Sequence, residues 1–384
     1  MKKTLIALAA LAATGAFAQS SVTLYGRLDA GYVNAVTNET NGATTNTANT
    51  IGGNGNGLST SYWGLKGSED LGGGLKANFN LEQDVAVASG AVGAGFNRIS
   101  TIGLAGGFGT LDIGRYYTPY FLNHKTGDVN DASSFLTTSS LTAYNIVGGT
   151  APTAGVSPIL ARMSGTDLTV NNTTLGGDVR GNGLHYVTPG TLGGFALRLM
   201  YAPSDSNADV AGVGTATTSK VSNNGVSASY ANGPLYVGFA WGEQTSKVSG
   251  AATEGKGTGQ GLAASYDFGV AKLFANYGKV KLQANTTVDT YVEKTETNIG
   301  VSAPFGAVTV LAAYGRNTVT GTNVGAESGN LSGNDWTLGA TYALSKRTTA
   351  YVKTGVTNKF EGTIQNVSVD TKTTATMVGL RHVF

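Results

Sequence analysis

The 384-residue chain carries 57 glycines, 7 prolines, no cysteine and only 12% charged residues. Without cysteine a disulfide framework and thiolate metal sites are excluded, and this balance favours strands and turns over helices or disorder. The formal charge is +2, but Lys2 and Lys3 lie in an amino-terminal leader, and the remaining 23 basic residues meet 23 acidic ones. Nucleic-acid binding has no electrostatic footprint here, so any electrostatic function rests on where the charges stand.

The leader, residues 1–18, holds those two lysines, an apolar run from Leu5 to Leu11 and the small-x-small site Ala16-Phe17-Ala18. That is the pattern of a secretory signal peptide, with the mature chain starting at Gln19. The run is far shorter than the roughly 20 residues of a membrane-crossing helix, and no longer uncharged apolar run follows. Residues 19–384 read as one domain.

From Val22 onward, Val22, Leu24, Leu28, Ala30 and Tyr32 alternate with Thr23, Tyr25, Arg27, Asp29 and Gly31. Period two is the strand signature. Residues 37–57 are polar and glycine-rich but lack the GK[ST] ending of a phosphate-binding loop, and read as a surface loop. In residues 59–87 two alternating arms flank the turn Leu71-Gly72-Gly73-Gly74. Along the second arm Leu75, Ala77, Phe79 and Leu81 take one face, and Lys76, Asn78, Asn80, Glu82 and Asp84 the other.

Residues 96–105 and 110–118 form another pair. The longest irregular segment follows at 119–179, and a stretch of that length within a fold is functional or disordered. Hairpins then resume, with faces such as Phe195, Leu197, Leu199 and Tyr201, or Leu273, Ala275 and Tyr277, and the last strand sets Val378, Leu380, His382 and Phe384 on one side.

The connections are of two kinds. Tight turns fall at Leu71, Gly107, Pro189, Asn232, Phe268, Pro304 and Ser345, whereas long polar connections fall near Asn38, Ser204, Lys247, Ala284, Val319 and Glu361. Short turns at one end, long loops at the other and lengths suited to a bilayer predict an all-β fold, a transmembrane antiparallel β-barrel of about sixteen strands in the outer membrane. Its first and last strands close the sheet so that no edge remains.

On this reading the apolar parity meets lipid and the other meets a wet lumen. Arg27 and Glu82 fall on the wet side. Arg98 shares parity with Ile102 and Leu104, and Arg180 with Leu184 and Tyr186. Either a bulge shifts their phase or they sit at strand mouths where alternation has lapsed. His124, His185 and His382 are scattered and make neither a metal-ligand spacing nor a Ser-His-Asp arrangement, so no catalytic residue, metal or cofactor is expected.

Together SVTLYGRLDAGY after the leader, GLKGSEDLGGGLKANFNLE, FNR followed by IGL, GFGTLDIGR, NGPLYVG and the ending VGLRHVF resemble the general diffusion porins of Gram-negative bacteria, above all the betaproteobacterial and neisserial branch. The resemblance implies a homotrimer of sixteen-stranded barrels, each narrowed by an inward-folded third loop. It implies a basic ladder on the wall at Arg27, Arg98 and Arg180, with Tyr62 standing where the family carries another arginine. Asp128 and Asp131 are then the acidic groups of the third loop, or else ordinary surface-loop acids. Arg115 faces a neighbouring subunit or stands at a rim. The terminal Phe384 resembles the signal read by the outer-membrane insertion machinery, and small outward residues such as Gly26 and Ala30 suit close subunit contact.

The expected function is a passive, water-filled channel for small hydrophilic solutes and ions, with a modest preference for anions. A solute-specific porin would need an aromatic slide along the lumen, while a barrel adhesin or enzyme would need its energy in the outer loops or a convergent catalytic set. Outer-membrane lipid is the surrounding partner.

Overall fold

The computed structural model describes residues 21–39, 44–52, 57–131, 180–203, 219–248, 254–285, 290–323, 326–364 and 367–384. The leader, Gln19 and most of the third loop lie outside them. Among the described residues no helix is long and apolar enough to cross a membrane. The crossing is made by strands.

The strands form one closed antiparallel barrel with sixteen positions in its wall. In chain order they are β1 (Ser21–Glu39), β2 (Thr44–Gly52), β3 (Tyr62–Gly72), β4 (Leu75–Ala86), β5 (Ala91–Val92), β6 (Ile99–Gly106), β7 (Gly109–Tyr117), β8 (Arg180–Val187), β9 (Phe195–Ala202), β10 (Ser219–Asn232), β11 (Leu235–Val248) and β12 (Glu254–Asp267). They continue with β13 (Lys272–Asn285), β14 (Thr290–Phe305), β15 (Val308–Asn323), β16 (Ala326–Ala343), β17 (Thr348–Ile364) and β18 (Val367–Val383). Neither β2 nor β5 adds a wall position. β2 pairs with the outer half of β1 and β3 with its inner half, so both share one place, and the two-residue β5 pairs only with the end of β4.

Closure is made by β1 against β18, in register from Arg27↔Val383 to Glu39↔Thr371. The last residue continues this seam: the Gly26 amide donates to the Phe384 carbonyl at 3.1 Å and the Phe384 amide to the Gly26 carbonyl at 3.0 Å. A side chain on Gly26 would meet the Phe384 ring at 2.7 Å. Glycine at this outward position therefore makes room for the terminal ring, a local reason for its small size that requires no neighbouring subunit.

Outward positions carry the apolar faces expected, with Leu24, Ile102, Phe195, Phe239, Leu262, Ile299 and Leu338 all exposed. All seven tight connections fall where the sequence puts them, and the three glycines of the first, Gly72, Gly73 and Gly74, have φ of 86°, 60° and 81°, which a β-carbon would strain. Five of the six long connections differ from expectation, and the sixth, near Ser204, lies outside the described residues. Strand pairing runs on through the segments near Asn38, Lys247 and Ala284, so that part of the expected surface loop at 37–57 is strand. It likewise runs through the segments near Val319 and Glu361, because the threonine- and asparagine-rich alternation continues there as β15–β16 and β17–β18 hairpins.

The inner face is not uniformly polar. Val33, Tyr351, Ala375 and Met377 form a buried inner cluster, joined by Ala35 and by Leu58 from the segment entering β3.

Candidate functional site

The third loop leaves β7 through Thr118, whose hydroxyl accepts from the Phe121 amide at 3.2 Å, and Pro119 opens helix α1 (Pro119–Thr126). A hydroxyl cap followed by proline is a strong helix start. The helix lies inside the barrel. Asn123 donates to the Gly261 carbonyl at 3.3 Å and accepts from the Tyr236 hydroxyl at 3.0 Å.

Wall glycines make room for it. Added β-carbons at Gly225, Gly238 and Gly300 would meet Pro119 at 3.1 Å, Asn123 at 2.1 Å and Val129 at 2.8 Å. The loop thus crosses the inner wall from β10 toward β14, and beyond it Lys353 of β17 donates from Nζ to Asn130 Oδ1. His124 is buried under α1, which pushes its pKa down to about 4 although Asp128 nearby opposes the shift. At that value it is neutral in ordinary buffers, and its 3.9 Å approach to Glu296 is too long for a hydrogen bond.

Another part of the wall carries the arginines. Arg27 points inward, donating from Nε to the Thr60 carbonyl at 2.7 Å and from Nη2 to the Thr60 hydroxyl at 3.2 Å. Arg98 is only 3% exposed. It pairs with Glu82 at 3.2 Å and Asp84 at 2.7 Å, and donates to the hydroxyls of Thr60 at 3.2 Å and Tyr117 at 2.7 Å. Tyr62 lies between the two, with the Arg27 and Arg98 guanidinium carbons 5.1 and 4.6 Å from its ring centre. Arg180 lies 4.8 Å from the Tyr117 ring and donates to its hydroxyl at 3.3 Å, while the other rings packed nearby are Phe121, stacked on Tyr117 at 5.2 Å, and Tyr25, edge-on to Tyr62. The result is an array in which tyrosines separate the guanidiniums.

A closed antiparallel β-barrel is what the comparisons also find. Residues 4–360 match the family model described as Gram-negative porin. The chain belongs to that family. It is similar to outer membrane porin protein 32 of Delftia acidovorans, 33% identical with all of both chains covered, and to the major outer membrane protein P.IB of Neisseria lactamica, 32% identical with the same coverage. Among solved structures it is similar to the anion-selective porin from Comamonas acidovorans, with a TM-score of 0.68 and 27% identity over 95% of this chain and all of that one. The protein is accordingly an outer-membrane porin, a channel of the outer membrane crossing it with many strands.

In this porin the inward positions of Arg98 and Arg180 have a simple cause. Arg98 lies in the bend just ahead of β6, and Arg180 is the first residue of β8, so both stand where strict alternation does not apply. Arg115 keeps the outward parity of Leu111 and Ile113, with Nε donating to the Asn97 carbonyl at 2.8 Å and Nη1 to Asn182 at 3.2 Å.

The two loop acids part company. Asp128 is 3% exposed and accepts from the Asn130 amide at 2.9 Å, whereas Asp131 is exposed and pairs with Lys125 at 3.3 Å. Asp131 is the one on the water side.

Three residues of this inner face are not among those expected from the sequence, and Tyr117, whose hydroxyl accepts from both Arg98 and Arg180, is one of them. Thr60 bridges Arg27 and Arg98, and nothing in the run Ser59-Thr60-Ser61 marks it. Arg198 faces inward on β9, and the exposed Leu197 and Leu199 on either side could have revealed it.

Proposed function

We propose that this porin passes small hydrophilic solutes and ions down their gradients with a modest preference for anions, through a homotrimer in which each barrel carries its own channel. The observation that carries the preference is the arginine–tyrosine array. At its level Arg27, Arg98 and Arg180 meet two carboxylates, Glu82 and Asp84, leaving one net positive charge. Lys66 and Arg198, further toward the short-turn end, raise it, and Asp112 on the inner face of β7 offsets one of them. Charges so placed across a narrow wet passage sort ions by field rather than by tight binding.

The roles of the wall residues differ. Arg27 and Arg180 act on passing anions, while Arg98 is held by its two carboxylates and chiefly shapes the array. Tyr62 spaces the guanidiniums without adding charge. Asp131 is the acidic counterpart on the third loop, and Asp128 ties the loop down behind it. Arg115, on the outer face, belongs to a subunit contact, and a trimeric form of the similarly folded OmpT of Vibrio cholerae supports the trimer. Residues 1–18 are removed on export, and Phe384 marks the chain for the insertion machinery.

The rings of this array already have guanidiniums or other rings against them, which argues against a solute-stacking slide. The relatives are channels rather than enzymes, and we assign no chemistry to this chain either. Swelling of liposomes carrying the protein in isosmotic sugars tests the channel itself. A reversal potential of anionic sign in a salt gradient tests the preference.

A further inference from the structure

The edge of β1 changes partner within the wall. Its register with β3 ends at Arg27↔Tyr62, and its register with β2 begins at Gly31↔Gly52. Asp29 stands in the gap between them. The Ser61 hydroxyl fills the missing rung, donating to the Asp29 carbonyl at 3.0 Å and accepting from the Asp29 amide at 2.9 Å. The carboxylate is occupied as well: Oδ2 accepts from the Ser59 amide at 2.8 Å and hydroxyl at 3.0 Å, and Oδ1 from the Tyr351 hydroxyl at 2.7 Å. Tyr351 reaches Asp29 from β17 across Gly379 and Gly31, which share its row, and a β-carbon on either would collide with the hydroxyl. Asp29, Ser59 and Ser61 are buried, so the latch they form with Tyr351 is closed to water.

Two arginines flank Asp29 on the inner face, and it pairs with neither. Arg27 lies two residues away on β1, about 7 Å along the strand, and Arg381 lies directly opposite on β18, with about 5 Å between α-carbons. Both are within reach of a guanidinium. Yet Arg27 donates to Thr60 instead, and Arg381 makes no hydrogen bond or ion pair among the described residues. The third nearby cation, Lys353 of β17, is engaged by Asn130 of the third loop. Thr60 owes its place to the same latch. Neighbours in an extended segment point to opposite sides, so holding Ser59 and Ser61 to the wall turns Thr60 toward Arg27 and Arg98.

We propose that this latch is a selectivity device with Asp29 as a positioning residue: Ser59, Ser61 and Tyr351 withhold its carboxylate from Arg27 and Arg381, so that Thr60 aims Arg27 and both guanidiniums act on the lumen. The proposal rests on the reading of the inward arginines as the groups that favour anions. Asp29 serves by being occupied, since a carboxylate that already accepts three hydrogen bonds has less to gain from a guanidinium. Cutting the latch without changing any charge frees it. It then captures an arginine, and one positive charge of the lumen is cancelled.

The test is the reversal potential of the full chain, folded into planar bilayers under a potassium chloride gradient at low salt, with Arg27→Gln and Arg381→Gln as references for a lost charge. Tyr351→Phe and the Ser59→Ala/Tyr351→Phe double variant leave the formal charge unchanged. Both are expected to shift the potential from the wild-type value toward the references, the double variant further. Adding Asp29→Asn to the double variant removes the capturing carboxylate and is expected to restore at least the wild-type anion preference. Heat-dependent gel migration checks that each variant is folded, and Tyr351→Phe, the mildest change, decides the matter where the double variant is not.

An unchanged potential in the folded latch variants, or a shift toward stronger anion preference, would overturn the proposal. So would a triple variant that stays with the double, because the latch would then be a structural tie whose loss only loosens the wall. References that match the wild type would remove the reading of the inward arginines, and this proposal with it. Shifted references beside unshifted latch variants would overturn the latch alone.

Discussion

Arg98 lies with its guanidinium carbon 4.6 Å from the centre of the Tyr62 ring, and the far smaller exposure of the arginine shows which of the two is structural. Tyr62 fills the place of a rung while holding two others apart. Tyr62→Arg adds a positive charge and removes two cation–π contacts worth about 0.5–1 kcal/mol each. It is expected to strengthen the anion preference and to lower the resistance of the folded barrel to heat. A shifted reversal potential with an earlier melting transition is the predicted pair of readings.

Glu82 is the lever on the same array. It accepts from Arg98 at 3.2 Å and from the Tyr25 hydroxyl at 2.8 Å. Glu82→Gln keeps an acceptor for Tyr25 and deletes one negative charge, so the anion preference should rise. Arg98→Ala leaves the carboxylates of a buried pair without their partner, a loss on the order of 3–5 kcal/mol. Unfolding in guanidinium should separate the two variants clearly.

The Gly26–Phe384 seam predicts assembly. Deleting Phe384 removes two backbone hydrogen bonds and the ring over Gly26. Gly26→Val leaves Phe384 in the chain and denies its ring the space. Both are expected to reduce the fraction of chain that migrates as folded barrel in unheated gels, the deletion more than the substitution.

The third loop predicts a pH dependence. His124 titrates near 6.5 when unfolded and about 4 when seated, so above pH 6.5 its seating carries no protonation penalty. Between pH 6.5 and 4 the unseated state binds more protons, and the seat weakens as pH falls, by up to a few kcal/mol. Current noise through single channels should increase over that window. In His124→Gln this component should be absent.

The sequence displays the barrel because its alternation is read by lipid on one side. Faces such as Phe195, Leu197 and Leu199, and the turns at Gly73 and Gly107, follow from local pattern alone. What stays hidden depends on contacts distant in the chain. Gly225, Gly238 and Gly300 look like ordinary strand glycines until α1 is laid over them. Helix α1 itself is signalled only by Thr118-Pro119, within a segment that otherwise reads as irregular. Arg98 reads as lipid-facing by parity because no sequence rule marks the bend before Ile99, and although alternation turns Val33 and Met377 inward, it does not show that Leu58 and Tyr351 come to cover them.

The central claim is that the inward arginines set the ion preference of an open channel. Reversal potentials across a tenfold potassium chloride gradient, measured on wild type and Arg27→Glu, test it most directly. The wild type should be modestly anion-selective, Arg27→Glu should abolish or reverse that sign, and the difference should fade at 1 M salt, where the screening length is roughly 3 Å. An Arg27→Glu channel with the wild-type reversal potential at low salt would contradict the account.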